Sequence, residues 1–172
     1  MLLYMGVKEK EGVENIQKEK LRATGITIIG VEQEGGSPFS AVEGIKTLRD
    51  GGLVSMSGDI IRQHDQQTVT VPFLGHEVRL PKTPYVFALI SGAPLFAFFA
   101  FRTGKNRYHF SLTGPITIPP HDRNNRQQAI AAAASQYAGL LEQAVRQHPC
   151  QWYHFERFLT ARKNSRTNQD TI

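Results

Sequence analysis

The residues best equipped for chemistry sit close together near the middle of the chain: Gly58–Asp59, then Arg62, His64 and Asp65. A carboxylate beside an imidazole can orient it as a general base, and an arginine nearby can hold a phosphate or an acyl oxygen. Neighbouring side chains on a polar loop rarely point at one another, so His64–Asp65 reads first as a solvated pair. Asp59 keeps two readings open, a site carboxylate and a turn residue that bonds backbone amides. The remaining histidines, 76, 109, 121, 148 and 154, have no partners at ligand spacing, so no metal site is expected. Gly35–Gly36 lacks the following lysine and the spacing of a nucleotide phosphate loop. The single cysteine, Cys150, excludes an internal disulfide and reads as a small packed residue.

Charge points to an anionic partner. Residues 1–59 carry seven Lys/Arg against nine Asp/Glu, whereas 60–172 carry thirteen against six, a net +7 in the second part. A phospholipid surface, an acidic carrier protein, a phosphorylated substrate and a nucleic acid all fit that asymmetry. Nucleic acid ranks last, because only the final twenty residues approach the required mix of basic and aromatic side chains. No apolar run reaches the roughly 18–20 residues of a membrane-spanning helix, and the longest, Ala93 to Phe101, has the length of a strand.

The elements that must position these residues alternate. Met1 to Met5 reads as a strand, Glu11 to Ala23 as an amphipathic helix, and the β-branched run Ile26 to Val31 as a buried strand. Ser37–Pro38 opens a helix that runs to the Gly51–Gly52 break, and Leu53 to Met56 is the next strand. Strand, helix, strand, helix, strand is the pattern that right-handed crossovers assemble into a parallel sheet. The polar stretch from Gly58 to Gln67 then reads as a loop at a strand's carboxyl end, where open α/β sheets tend to bind ligands. Thr83–Pro84 opens a further helix, ended at Gly92–Ala93–Pro94. Leu95 to Phe101 and Tyr108 to Leu112 form an antiparallel hairpin turning at Gly104–Lys105–Asn106. Phe96, Phe98, Phe99 and Phe101 are expected to be core in a doubly covered sheet, with an acyl-chain pocket as the less favoured role. Arg123 to Gln147 reads as one long helix with a stripe of Ile130, Ala134, Tyr137, Leu141 and Val145. The fold expected is therefore a single α/β domain over 1–159, a mainly parallel sheet with helices on both faces and an antiparallel hairpin toward the C-terminal end. A basic, disordered tail over 160–172 is expected to follow.

Several blocks, in order, resemble the lysophospholipid and lipid A acyltransferase superfamily, specifically the lipid A late acyltransferases and related bacterial mannoside acyltransferases. They are Phe39–Ser40–Ala41, Leu48–Arg49–Asp50–Gly51–Gly52, Gly58–Asp59, Val71–Pro72–Phe73–Leu74–Gly75, Pro81, Ser91–Gly92–Ala93–Pro94, Pro115–Ile116 and Pro149–Cys150–Gln151–Trp152 through Phe158. Each is weak alone; their order and spacing carry the likeness. The resemblance implies transfer of a fatty acyl chain from an acyl carrier protein or coenzyme A thioester to a hydroxyl of a lipid A-type glycolipid or phospholipid. It implies no metal or other cofactor, and a place at the inner face of the cytoplasmic membrane.

On the same resemblance Asp59, Arg62, Phe73, Gly75 and Arg102 line the substrate site. Trp152, Arg157 and Arg162 could meet an anionic membrane surface, while docking of the aromatic segment on the core is an equal alternative. The family's chemistry needs a His-x-x-x-x-Asp/Glu pair, in which the carboxylate orients the imidazole that deprotonates the acceptor hydroxyl. No histidine here has an acidic residue five positions on: those positions hold Val69, Pro81, Gly114, Arg126, Tyr153 and Leu159. The resemblance thus implies a C-terminal portion whose base comes from a missing N-terminal segment or a partner chain, inactive by itself. A non-catalytic remnant that binds lipid or a carrier protein is the alternative. Two departures from the family pattern stand out: Ile60 follows Asp59 where relatives often place arginine, and Pro81–Lys82–Thr83–Pro84 replaces Pro-x-Gly-Pro.

Overall fold

The computed structural model describes residues 1–6, 20–31, 38–61, 66–119, 122, 124–154 and 158–159. Strand β1 (Leu2–Gly6) is the centre of a three-stranded parallel sheet, flanked by β2 (Thr27–Val31) on one side and β3 (Val54–Ser55) on the other. This is the parallel arrangement that the alternating sequence pattern dictates. Residues 20–23 end the expected first helix, where the Thr24 hydroxyl donates to the Leu21 carbonyl; the earlier part of that helix lies outside the described residues. Helix α1 (Pro38–Arg49) connects β2 to β3 and, with Lys46 and Arg49 in its last turn, suits the negative end of the helix dipole. Arg49 also donates to the Ile90 carbonyl at 3.1 Å, joining α1 to the end of the next helix.

Two antiparallel hairpins follow. In the first, β4 (Thr68–Phe73) pairs with β5 (His76–Pro81) around the two-residue turn Leu74–Gly75. Both turn residues have positive φ, 50° and 76°, the combination a type I′ hairpin uses and which favours glycine at the second place. Along β4 and β5, Val71, Phe73, Val78 and Leu80 face inward while Thr70, Pro72, Glu77 and Arg79 face out, a strict period of two. Helix α2 (Thr83–Ser91) ends at Gly92, whose left-handed φ of 75° lets its amide bond back to the Ala88 carbonyl. The second hairpin pairs β6 (Leu95–Gly104) with β7 (Arg107–Ile116) about Lys105–Asn106, as expected near the C-terminal end.

Helix α3 (Arg126–Gln147) supplies the surface on which the hairpins pack. Its Ile130, Ala133, Ala134, Ala138 and Leu141 are buried against Val71, Phe73, Val78, Leu80, Tyr85, Ala97 and Ile116. The alanines let strands approach the helix closely, and the same residue has the highest helix propensity, so one composition serves both needs. The Gln136 amide locks the junction: it donates to the Thr117 carbonyl and accepts from the Thr117 amide.

The hairpin departs from the expected all-round burial of its phenylalanines. The inward face (Leu95, Ala97, Phe99 and Phe101, with Ile116) meets the core or is half-buried, but Phe98, Phe110 and Leu112 on the other face are 60%, 61% and 68% exposed. Phe96 and Tyr108 are exposed on that face too, and Phe98 stacks on Phe110 at 5.6 Å between ring centres. The physical reason is the sheet's extent. A continuous apolar run implies cover on both sides only if a second layer exists, and here α3 covers one.

At the other end of α3, the Leu74 amide donates to Glu142 at 2.7 Å and Arg146 pairs with the same carboxylate at 2.6 Å. The Leu74 amide first, then Arg146, hold the Glu142 carboxyl below its ordinary value of 4.5. A depressed folded-state pKa gives stability that is present above 4.5 and lost as pH falls through the lower folded value. Glu142→Gln is therefore expected to flatten the acid limb of a urea-denaturation pH series below about pH 4.5. An unchanged acid limb would sink the assignment.

Candidate functional site

Gly58 and Asp59 follow β3 in a bend, and their surroundings come from two distant parts of the chain. The Trp152 indole donates to the Asp59 carboxylate at 3.0 Å across 93 residues of sequence, and His154 Nε2 lies 3.4 Å from the Asp59 backbone carbonyl. Because a carbonyl can only accept, that contact requires the His154 proton on Nε2. His154 Nδ1 is shielded and makes no hydrogen bond to the described residues. Behind them Phe73, Trp152 and Phe158 form a mutually edge-on and tilted triad with centroids 5.2–5.5 Å apart, and His154 joins Phe158 at 4.5 Å.

Tyr137 of α3 closes the floor. Burial pushes its phenol well above the usual range, with the charge of Asp59 and then Tyr85 adding to the effect. A Cβ on Gly58 would stand 2.6 Å from both Tyr137 Cζ and Oη. The glycine is thus required by the approach of the 58–59 bend to a ring it cannot displace cheaply.

The cluster fixes where each sequence candidate stands. Asp59 is half-buried, with a carboxylate oxygen committed to Trp152. Phe73, expected along a substrate site, is only 1% exposed and belongs to the core. Gly75 is the second residue of the β4–β5 turn and answers a backbone need. Arg102 lies exposed near the tip of β6–β7, where its backbone amide and carbonyl pair with the Gln151 side chain at 2.6 and 3.2 Å. Trp152 is half-buried in the aromatic cluster, with its N–H on Asp59. Arg62, Arg157 and Arg162 lie outside the described residues, as do His64, Asp65, His121 and the tail over 160–172.

Sequence reasoning missed Tyr137 and His154 as partners of this bend. Tyr137 had been assigned only to the apolar stripe of α3, and nothing in the spacing of His154 links it to position 59. Among the described residues no three His, Cys, Asp or Glu side chains gather as metal ligands, and no helix is long and apolar enough to cross a membrane.

Removing the carboxylate should loosen this junction. Asp59→Ala is expected to cost about 1–3 kcal/mol, because the Trp152 N–H loses its acceptor. Asp59→Asn keeps an acceptor and should cost less. Trp152 is the one tryptophan of the chain, so a red shift of native fluorescence in Asp59→Ala, absent in Asp59→Asn, reads the change directly. Equal spectra for wild type and Asp59→Ala would remove Asp59 from this role.

Residues 42–160 match the family described as bacterial lipid A biosynthesis acyltransferase. No curated protein matches the chain. The match spans more than half of the sequence and contains both hairpins, α3 and the Asp59–Trp152 contact. The chain belongs to the bacterial lipid A biosynthesis acyltransferase family.

Proposed function

We propose that this chain supplies the lipid-handling part of an acyltransferase that moves a fatty acyl chain from an acyl carrier protein or coenzyme A thioester to a hydroxyl of a lipid A-type glycolipid or phospholipid. The observation that carries the lipid reading is the uncovered face of β6–β7. Phe96, Phe98, Tyr108, Phe110 and Leu112 form one exposed apolar surface. Beside it, at the hairpin tip, stand Arg102, Lys105 and Arg107, and the sequence holds no acidic residue between Glu77 and Asp122. An aromatic face bordered by cations, on a stretch of sequence without acidic residues, is complementary to an anionic lipid layer: rings enter the interface while the cations stay at headgroup level. In this proposal the chain works as a peripheral protein at the inner face of the cytoplasmic membrane, a reading that this complementarity supports.

Vesicle co-sedimentation tests it. The chain should bind vesicles containing anionic phospholipid and leave phosphatidylcholine vesicles largely free, and the double variant Phe98→Ser/Phe110→Ser should weaken binding by about tenfold or more, since each buried ring is worth roughly 1.5–3 kcal/mol. Equal binding by the variant would overturn the assignment of this face.

The proton acceptor for acyl transfer is not encoded here, since no histidine has an acidic residue five positions on. The chain by itself is accordingly inactive in this proposal. Acyl-thioester turnover by the purified chain, abolished by Asp59→Ala with no partner protein present, would contradict that. One observation favours a second reading, a non-catalytic remnant that binds lipid or a carrier protein: the Asp59 carboxylate is closed against Trp152. The genomic reading frame ahead of Met1 separates the two. An in-frame His-x-x-x-x-Asp/Glu segment supports the enzyme, and a stop codon close upstream supports the remnant.

A further inference from the structure

A cleft of about 220 Å³ opens where α2 and α3 begin, lined by Gln67, Lys82, Val86, Arg126, Gln127 and Ile130. It is separate from the Asp59 cluster: Arg126 and Tyr137 are eleven residues apart on α3, about 16 Å along the axis. Two of the six lining residues are cations and none is an anion. The side chains of Lys82 and Arg126 make no ion pair or hydrogen bond among the described residues, where Arg146–Glu142 is the ion pair seen. Arg126 Nε is shielded from water and makes no hydrogen bond to the described residues. Asp122, the acidic residue nearest Arg126 in the sequence, accepts from the amides of Asn124 and Asn125 through one carboxylate oxygen.

That arrangement is costly as it stands. A shielded N–H without an acceptor has lost its water without a replacement, and two like charges sharing one cleft repel. Both helix starts add to the positive potential: neither α2 nor α3 has an acidic residue in its first turn, and neither N-cap side chain bonds the amides of its own helix. An anion with several acceptor oxygens would relieve all of these at once. The guanidinium would offer Nε–H and a terminal N–H as a fork, Lys82 a point charge, and Gln67 and Gln127 neutral donors. With only Val86 and Ile130 as apolar lining, the volume suits a headgroup rather than an acyl chain.

We propose that this cleft binds a phosphate group, held between Lys82 and Arg126. It stands independently of the acyl-transfer reading, because no step of that chemistry enters it. The test uses the full chain and three probes at matched ionic strength: inorganic phosphate, glycerol 3-phosphate, and vesicles containing phosphatidic acid with phosphatidylcholine vesicles as the control. Binding is followed by ³¹P NMR line broadening for the soluble probes and by co-sedimentation for the vesicles. At least one phosphate probe should bind, and both Arg126→Gln and Lys82→Gln should weaken it about tenfold or more, the value of one charge-assisted hydrogen bond. Lys105→Gln, at the exposed hairpin tip, should leave binding of the soluble probes unchanged. Soluble-probe binding assigns the site to a free phosphate compound, and binding confined to phosphatidic acid vesicles assigns it to a lipid headgroup. Circular dichroism establishes that each variant folds. Arg126→Lys provides a second reading of the same position, keeping the charge but losing the fork, and is expected to fall between wild type and Arg126→Gln. Binding of no phosphate probe, or binding that both glutamine variants retain in full, overturns the proposal.

Discussion

Phe73→Ala is expected to lower the unfolding free energy by about 3–5 kcal/mol, the usual cost of emptying a buried phenylalanine site. The ring is 1% exposed, meets Trp152 and Phe158 at 5.5 Å, and lies in the same core as Val71, Val78, Leu80 and Ile130. Those neighbours are held by α3 on one side and by β5 on the other, so they cannot close the cavity without moving a helix or a strand. Phe73→Leu keeps most of the volume and should cost much less. Chemical denaturation followed by circular dichroism and by Trp152 fluorescence checks both. A loss below about 1 kcal/mol for Phe73→Ala would fit a ring lining an open groove and would contradict its place in the core.

Gly58→Ala comes second, at about 1–3 kcal/mol, the usual cost of forcing an extra methyl into a packed site. The added methyl would lie 2.6 Å from the Tyr137 ring, inside any tolerable contact. Relief requires that α3 retreat, that the bend lift, or that the phenol swing, and each would carry Asp59 away from Trp152. Fluorescence should therefore shift together with stability, in the same direction as for Asp59→Ala. The double variant Gly58→Ala/Tyr137→Ala restores space at the bend. It should cost less than the sum of the two single changes. Strict additivity would show that the methyl and the ring do not meet.

Gly58 and Gly75, each in its own block of the family resemblance, separate two kinds of constraint. Gly75 answers a backbone requirement that a reader of the sequence can anticipate, since the type I′ turn wants positive φ. Gly58 answers a neighbour 79 residues away on another element. The same residue type thus marks a turn in one place and a close approach in the other. Only coordinates tell them apart.

Much of the fold was legible because its signals are local. The β-branched run before Val31, Pro38 at the start of α1, Gly92 after α2 and the Ala-rich stripe of α3 each act over a few residues through propensity, capping or periodicity. Alternation of those elements sufficed for a parallel sheet, but the central place of β1 between β2 and β3 came only from the tertiary structure. The ordered blocks through Phe158 likewise sufficed for the family. The environment of Asp59 was not legible, since Trp152, His154 and Tyr137 reach it across 78 to 95 residues. Nor was the bare face of β6–β7, because an apolar strand records how well it could be covered and says nothing of how many layers are present. Pairing of Lys82 with Arg126 in one cleft belongs to the same class. Helix starts are written in sequence, but their convergence is decided by how the hairpins seat α2 and α3 against a common core.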